Sequence, residues 1–275
     1  VEAYRMSASS PMAQVRHKIL VLSGKGGVGK STVSSQLALS FMSAGLNVGL
    51  LDVDLCGPSI PTILGVVGES MVSGSQGWIP VYSKSTVGDK KLAIMSIGFL
   101  LEDRNAPVIW RGPKKTSLIR QFLEDVAWGN LDVLVIDTPP GTSDENITVC
   151  EQLTKYQPDG AIIVTTPQNV SLDDVRKEIT FCKQVGIPIL GIVENMSGFI
   201  CPCCGEAYNI FSKGGGEALS AELGIPFIGR IPLDPSVSQS CDQGTSFIDS
   251  YKNSKSLEAL HDFTKKFVAE KVEQS

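Results

Sequence analysis

The segment GKGGVGKS, Gly24–Ser31, is the part of the chain best suited to bind an anion. It fits the Walker A spacing, follows the apolar run Ile19–Ser23 and opens a stretch with helical spacing, which is the context such a loop requires. Glycines at 24, 26, 27 and 29 let consecutive backbone N–H groups turn toward an anion with no Cβ in the way, and a helix start adds its positive end. The stretch Gly24, Lys25, Gly26, Gly27, Val28, Gly29, Lys30, Ser31 and Thr32 is therefore expected to wrap phosphates, with Lys30 on the outer ones and Ser31 on Mg2+.

Two further segments end in carboxylates. LLDVDLCGPSIP places Asp52 and Asp54 after one apolar run, and VLVIDTPPGTSDE places Asp137 after another. Mg2+ keeps several waters and takes one or two carboxylates beside phosphate oxygens, so Asp137 is expected to hold a metal-bound water and Asp52 to support the metal shell. A lone D-x-D is as readily a strand-end turn or a helix cap; a P-loop and two carboxylate loops in this order weaken that reading. No guanine-specific NKxD signature occurs, which favours ATP.

The loop SGFICPCCGEAY brings Cys201, Cys203 and Cys204 together, with C-x-x-C spacing between Cys201 and Cys204. That spacing lets two sulfurs face one zinc ion or one edge of an iron–sulfur cluster, and spacing does not separate the two. Both want four ligands. The only histidines are His17 and His261, and the other cysteines fall on different expected elements, so one chain supplies half a site. Two copies related by a two-fold axis would close a four-thiolate cage. A redox dithiol or a structural half-knuckle is the competing use of the pair. Seven cysteines in this scatter do not read as a disulfide framework; Cys56, Cys150, Cys182 and Cys241 read as small buried hydrophobes.

The elements that must hold these groups recur along the chain. Near-continuous apolar runs at Ile19–Ser23, Val48–Val53, Leu92–Ile97, Val133–Asp137, Ala161–Thr165, Ile187–Val193 and Phe227–Ile231 read as strands buried on both faces. Between them, Lys114–Trp128 puts Leu118, Ile119, Phe122, Leu123 and Val126 on one helical face, and Leu172–Val185 and Ser256–Val272 carry similar stripes. The alternation predicts an α/β fold: a doubly wound, mainly parallel sheet with helices on both faces, binding ligands beyond the carboxyl ends of its strands. Residues 1–17 are set aside as a flexible leader, and 18–275 are expected to form a single domain with the cysteine loop near 197–210. The Gly- and Ser-rich stretches Gly65–Gly77 and Ser197–Gly216 read as functional excursions from it.

Composition narrows the partners. The 275 residues carry 24 Lys and Arg against 29 Asp and Glu, a net charge of −5, with no dense basic block, which argues against nucleic acid as a partner. No apolar run approaches the roughly 18–20 residues that span a bilayer and no secretory h-region opens the chain, so a cytoplasmic protein without membrane attachment is expected. Arg111, Lys114 and Lys115 read as solvated cations at a helix start. The stripe Leu257, Leu260, Phe263, Phe267 resembles the membrane-targeting helix of MinD, but Glu258, Asp262, Glu270 and Glu273 interleave with it and favour docking on the core.

Lys25 adds a family signal. A lysine at this position resembles the deviant Walker A ATPases of the SIMIBI class, which include MinD/ParA, the arsenite-pump ATPase and the nitrogenase iron protein. That resemblance implies a P-loop NTPase fold and a nucleotide-sandwich homodimer in which Lys25 reaches the partner's phosphates. It also implies that Asp54 positions the attacking water and that Asn195, Pro232 and Asp234 line the adenine pocket. With DVDLCGPSIP, WRGP, DTPPGTSDE, ENMSG and CPxC following the P-loop in order, about residues 16–250 resemble the Mrp/NBP subfamily of iron–sulfur cluster assembly scaffolds, and more narrowly its shorter eukaryotic members. The subfamily resemblance implies slow ATP hydrolysis and a labile, subunit-bridging [4Fe–4S] cluster on Cys201 and Cys204. The cluster would pass to cytosolic and nuclear apo-proteins and targeting factors, from a homodimer or a heterotetramer with the longer NBP-type paralogue. The alternatives are a MinD/ParA-like spatial switch, a zinc-bridged P-loop ATPase, and a P-loop transferase or kinase.

Overall fold

The computed structural model describes residues 11–55, 57–75, 77–87, 89–100, 112–201, 203–204, 206–246 and 254–273. A nine-stranded sheet runs through them. Its centre is parallel, in the order β9 (Ile189–Ile200), β8 (Gly160–Thr165), β1 (His17–Leu22), β7 (Val133–Asp137), β2 (Val48–Asp52), β6 (Lys90–Ser96). β5 (Val81–Val87) and β10 (Ala207–Tyr208) pair antiparallel at the two ends, and β11 (Phe227–Leu233) pairs parallel with β9. Every residue of β1, β2, β7 and β8 is buried, as expected of strands covered on both faces.

Helix α1 (Lys30–Ser43) packs on β7 and β2 and against α8 (Lys255–Phe267). The helices α3 (Gly112–Glu124), α4 (Asp144–Thr154), α5 (Asn169–Val185) and α6 (Gly215–Leu223) pack in succession. The expected face of α3 is the buried one: Ile119, Phe122, Leu123 and Val126 are almost fully enclosed. The stripe on α8 docks on the core, with Leu257, Leu260 and Phe267 buried and Phe267 edge-on to Phe41 and His17 at 5.6 and 5.5 Å. Beyond it, Val268–Val272 continue as a π-turn.

Three regions differ from the sequence-based expectation. The leader boundary falls too late. Pro11–Gln14 form a 3-10 turn, Met12 and Val15 are buried in the core, and His17 already opens β1, because Lys18 Nζ donates to the Val15 carbonyl and ties the turn to the strand. Strand β9 does not stop at Val193; it continues to Ile200. Its outer part pairs with β11 as far as Phe199 and with β10, and Met196 (φ 56°) and Gly198 (φ 78°) absorb the irregular register. The Gly65–Gly77 stretch leads into a clip on the fold: β3 (Val72–Gly74) and β4 (Gly77–Ile79) form a small ladder. From it Trp78 stacks edge-on against Phe122 at 5.5 Å and exchanges backbone hydrogen bonds with Asp125 and Ala127.

Candidate functional site

The phosphate loop leaves β1 and enters α1 through Gly29, whose φ of +84° lies in the left-handed region; Gly27, at +80°, does the same. No side chain caps the start of α1, so its first-turn amides face the loop. A Cβ added at Gly26 or Gly27 would meet nothing within 4 Å. One added at Gly24 would collide with the Asp174 backbone at 2.5 Å, and one at Gly29 with Asn195 Nδ2 at 2.2 Å. The loop is thus backed by protein on one side and open on the side where its amides point, a cradle that fits phosphate oxygens.

Beneath it, Asp137 at the end of β7 gathers three donors. Lys30 Nζ lies 2.8 Å from Oδ1, Ser34 Oγ donates to Oδ1 at 2.6 Å and Ser31 Oγ donates to Oδ2 at 2.6 Å; Lys30, Ser34 and Asp137 are buried, and Ser31 is half-buried toward the loop. A hydroxyl and a carboxylate side by side next to a phosphate cradle are the donor set that Mg2+ takes. Asp52 sits directly across from Asp137 in the β2–β7 register, fully buried, accepting from Ser96 Oγ at 2.9 Å and from the Asp54 N–H at 3.1 Å. Burial, and then the nearby charge of Asp137, push its carboxyl up to about 8, although Lys30 and Ser96 pull the other way. Asp52 is thus a buried strut whose Oδ1 holds the backbone at Asp54. Asp54 itself is half-buried at the mouth and accepts from the Gly57 N–H at 3.3 Å.

Ser34 and Ser96 were missed by motif reading. Ser34 stands one helical turn beyond Lys30, so helical spacing alone puts it on the same face; Ser96, at the end of β6, faces Asp52 only once strand order is known. Lys25 is half-buried at the rim and makes no ion pair among the described residues. Thr32 is half-buried beside Ser31, and Cys241 of α7 (Pro235–Gln243) is half-buried and packs against the core. Asn195 is buried with its amide donating to the Val28 carbonyl at 2.9 Å, and so braces the phosphate loop. Pro232 follows Ile231, the register partner of Asn195. Asp234 caps α7 through Ser236 N and accepts from Ser254 and Ser256 at the start of α8, so its carboxylate joins two helix starts.

The cysteines ride on the far end of β9. The Cys201 N–H donates to the Glu206 carbonyl at 2.9 Å and closes a hairpin between β9 and β10. Cys201 is half-buried, Cys203 and Cys204 exposed. Backbone N–H groups of Cys204 and then Cys203 hold the Cys201 thiol below its usual range, the arrangement that stabilises a thiolate for a soft metal. Among the described residues no three His, Cys, Asp or Glu side chains gather into a complete metal cage. Cys150 and Cys182 are buried, with burial raising both thiols, that of Cys182 to about 12. Cys56 and Arg111 lie outside the described residues; Lys115 pairs with Glu145 of α4.

A family model described as the NUBPL iron-transfer P-loop NTPase matches residues 14–268. The chain belongs to this family. Curated relatives include a protein of Nematostella vectensis named cytosolic Fe-S cluster assembly factor NUBP2 homolog, 57% identical over 93% of each chain, and the Bos taurus cytosolic Fe-S cluster assembly factor NUBP2, 53% identical over 94% of each. Among solved structures, a nucleotide-binding protein from Archaeoglobus fulgidus in complex with ADP is 39% identical, with a TM-score of 0.74 over 87% of this chain and 92% of that one. The Pyrococcus furiosus cell division ATPase MinD superposes with a TM-score of 0.66 at 22% identity, over 93% of this chain and 99% of that one, and shares the fold. The family membership and the buried Lys30–Asp137–Ser31 cluster together make the chain a P-loop NTPase of the MinD/ParA fold.

Proposed function

We propose that the protein is an ATP-binding, slowly hydrolysing scaffold. In this reading two copies assemble a [4Fe–4S] cluster between Cys201 and Cys204 of each and release it to apo-proteins. The observation that carries it is that one strand serves both halves of the chemistry: Asn195 of β9 braces the Val28 carbonyl of the phosphate loop, and the same strand ends by delivering Cys201. The relatives named as cytosolic Fe-S cluster assembly factors support the choice of cargo and a cytosolic location.

In hydrolysis, the P-loop amides and Lys30 take the phosphates, and Lys25 reaches those of the partner's nucleotide. Ser31 and Asp137 would hold Mg2+, which supplies charge neutralisation on the β- and γ-phosphate oxygens. Asp54 orients a water in line with the γ-phosphorus; the water's oxygen bonds there as the bond to the bridging oxygen breaks, leaving ADP and phosphate, with one water proton retained on the phosphate and the other released to solvent. Asn195 and Pro232 wall the adenine, with Asp234 holding that wall by its two helix caps. The cluster is cargo: four thiolates, two from each copy, close around it, and nucleotide state changes dimer geometry and hence its lability. A heterotetramer with the longer paralogue is the second working form.

Anaerobic reconstitution with iron and sulfide, followed by visible absorption, Mössbauer spectroscopy and light scattering, tests the reading. A dimer carrying one [4Fe–4S] cluster is expected. A zinc-only product would favour the zinc-bridged alternative, and a monomer holding its full metal complement would end the proposal. A MinD-like membrane switch leaves the thiols without a use, and Leu257, Leu260 and Phe267 of the α8 stripe are buried against the core.

A further inference from the structure

The loop 138–143 follows Asp137 and leads into α4, so it sits where the γ-phosphate would be sensed. Gly141 is its pivot. Its φ of +71° lies in the left-handed region, and its N–H donates to the Ser23 carbonyl at the start of the phosphate loop at 2.7 Å. Its carbonyl accepts from Asn146 Nδ2 at 2.5 Å. Asn146, on the first turn of α4, is fully buried, and its amide reaches in two more directions: Nδ2 also donates to Glu178 Oε1 at 3.1 Å, and Oδ1 accepts from Cys150 Sγ at 3.6 Å. A chain of contacts therefore runs from the phosphate loop through Gly141 and Asn146 to Glu178 on α5.

Glu178 is an unusual anchor. It is fully buried, no described cation pairs with it, and its Oε2 has no hydrogen-bond partner among the described residues. The titratable groups around it are the thiols of Cys150 on α4 and Cys182 on its own helix, with Glu151 beyond Cys150; none carries positive charge. Burial pushes its carboxyl up to about 8, against the single pull of Asn146. A charged carboxylate there, with no described cation beside it, would be very costly.

We propose that Glu178 is a positioning residue for ATP hydrolysis: its Oε1 fixes the Asn146 amide, which holds the Gly141 carbonyl and so sets the 138–143 loop against the phosphate loop. The inference rests on the hydrolase reading above, and it adds a residue that no nucleotide-binding motif contains. Glu178 acts through Asn146 and touches no phosphate.

The test compares Glu178→Leu, Glu178→Gln and Asn146→Ala in the full chain, by steady-state hydrolysis and by amide hydrogen exchange of the 138–146 segment. Leu removes the acceptor at similar volume, while Gln keeps a neutral acceptor in place. Loss of one buried hydrogen bond that aligns the loop predicts a fall in kcat of about tenfold for Glu178→Leu and Asn146→Ala, with KM for ATP within about twofold. Both should exchange faster in 138–146, and Glu178→Gln should match the wild type in both measurements. A double Asn146→Ala, Glu178→Leu variant should be no worse than either single one, because the two act as one unit. Unchanged exchange in the Leu and Ala variants overturns the clamp, as does Gln behaving like Leu. If Glu178→Leu fails to fold, Glu178→Gln and Asn146→Ala still decide it. If the wild type proves unable to hydrolyse ATP, the functional reading fails, while the exchange pattern still decides whether the clamp exists.

Discussion

The phosphate-side cluster and the cysteine hairpin treat their reactive groups in opposite ways. Around Asp137 the charge is answered from within the chain: one lysine and two serine hydroxyls close on its carboxylate. At the hairpin the thiols lie at or near the surface, and the amides of Cys204 and Cys203 lower the Cys201 thiol. The first site is preorganised, and its cost has been met by folding; the second leaves its thiols open. The contrast teaches that the charge network around Asp137 can be read from one copy of this protein, whereas the cluster site proposed above needs a second.

The sharpest way to break the contrast is to open the closed site. Lys30→Ala should abolish measurable ATP binding by calorimetry. It should also lower stability by about 3–5 kcal/mol, because Asp137 is left as a buried charge without its cation. Asp54→Ala, at the half-buried mouth, should leave affinity unchanged and cut turnover by on the order of 100-fold or more. Near-normal turnover in that variant would remove Asp54 from the mechanism.

Next comes the open site. Cys201→Ala and Cys204→Ala should each eliminate cluster uptake on reconstitution while ATP affinity stays within about twofold, and Cys203→Ala should retain most of it. Equal loss in all three would reject the assigned pair; a loss of ATP binding in the first two would show that the two regions are not separable.

The smallest effect probes the buried clamp beside the closed site. Glu178 has a folded-state carboxyl raised to about 8 from an ordinary 4.5, so between those values the native state binds more protons than the unfolded one. Stability must then fall as pH rises across that window. Glu178→Gln, which has nothing to ionise, should gain on the wild type steadily from pH 5 to pH 8, by at most a few kcal/mol in urea melts. A constant difference across that range would mean that the carboxyl is not held neutral.

How far the sequence could be read depends on the range of each interaction. The P-loop announces itself because its anion site is built from consecutive amides, and consecutive residues are what a sequence displays. Asp52 and Asp137 were legible for the same reason, each closing an apolar run. The α8 stripe was legible through its period, and its interleaved acids gave the direction in which it docks. The Ser96–Asp52 bond was not, since it spans strands whose adjacency follows from sheet order. The extension of β9 was hidden because Met196 and Gly198 bend the backbone in a way that reads as a loop until β10 and β11 are seen to pair with it.

Local chemistry was thus settled by the order of residues: a triphosphate cradle, carboxylates at strand ends, a C-x-x-C pair and the α/β alternation that carries them. Folding settled the long-range partnerships: that Asp52 is buried across from Asp137, that Asn195 braces the phosphate loop, and that Asn146 and Glu178 meet beneath Gly141. The division has a physical cause. Motifs record contacts between neighbours along the chain, while burial, and with it protonation and hydrogen-bond pairing, is set by whatever distant segments a fold brings together.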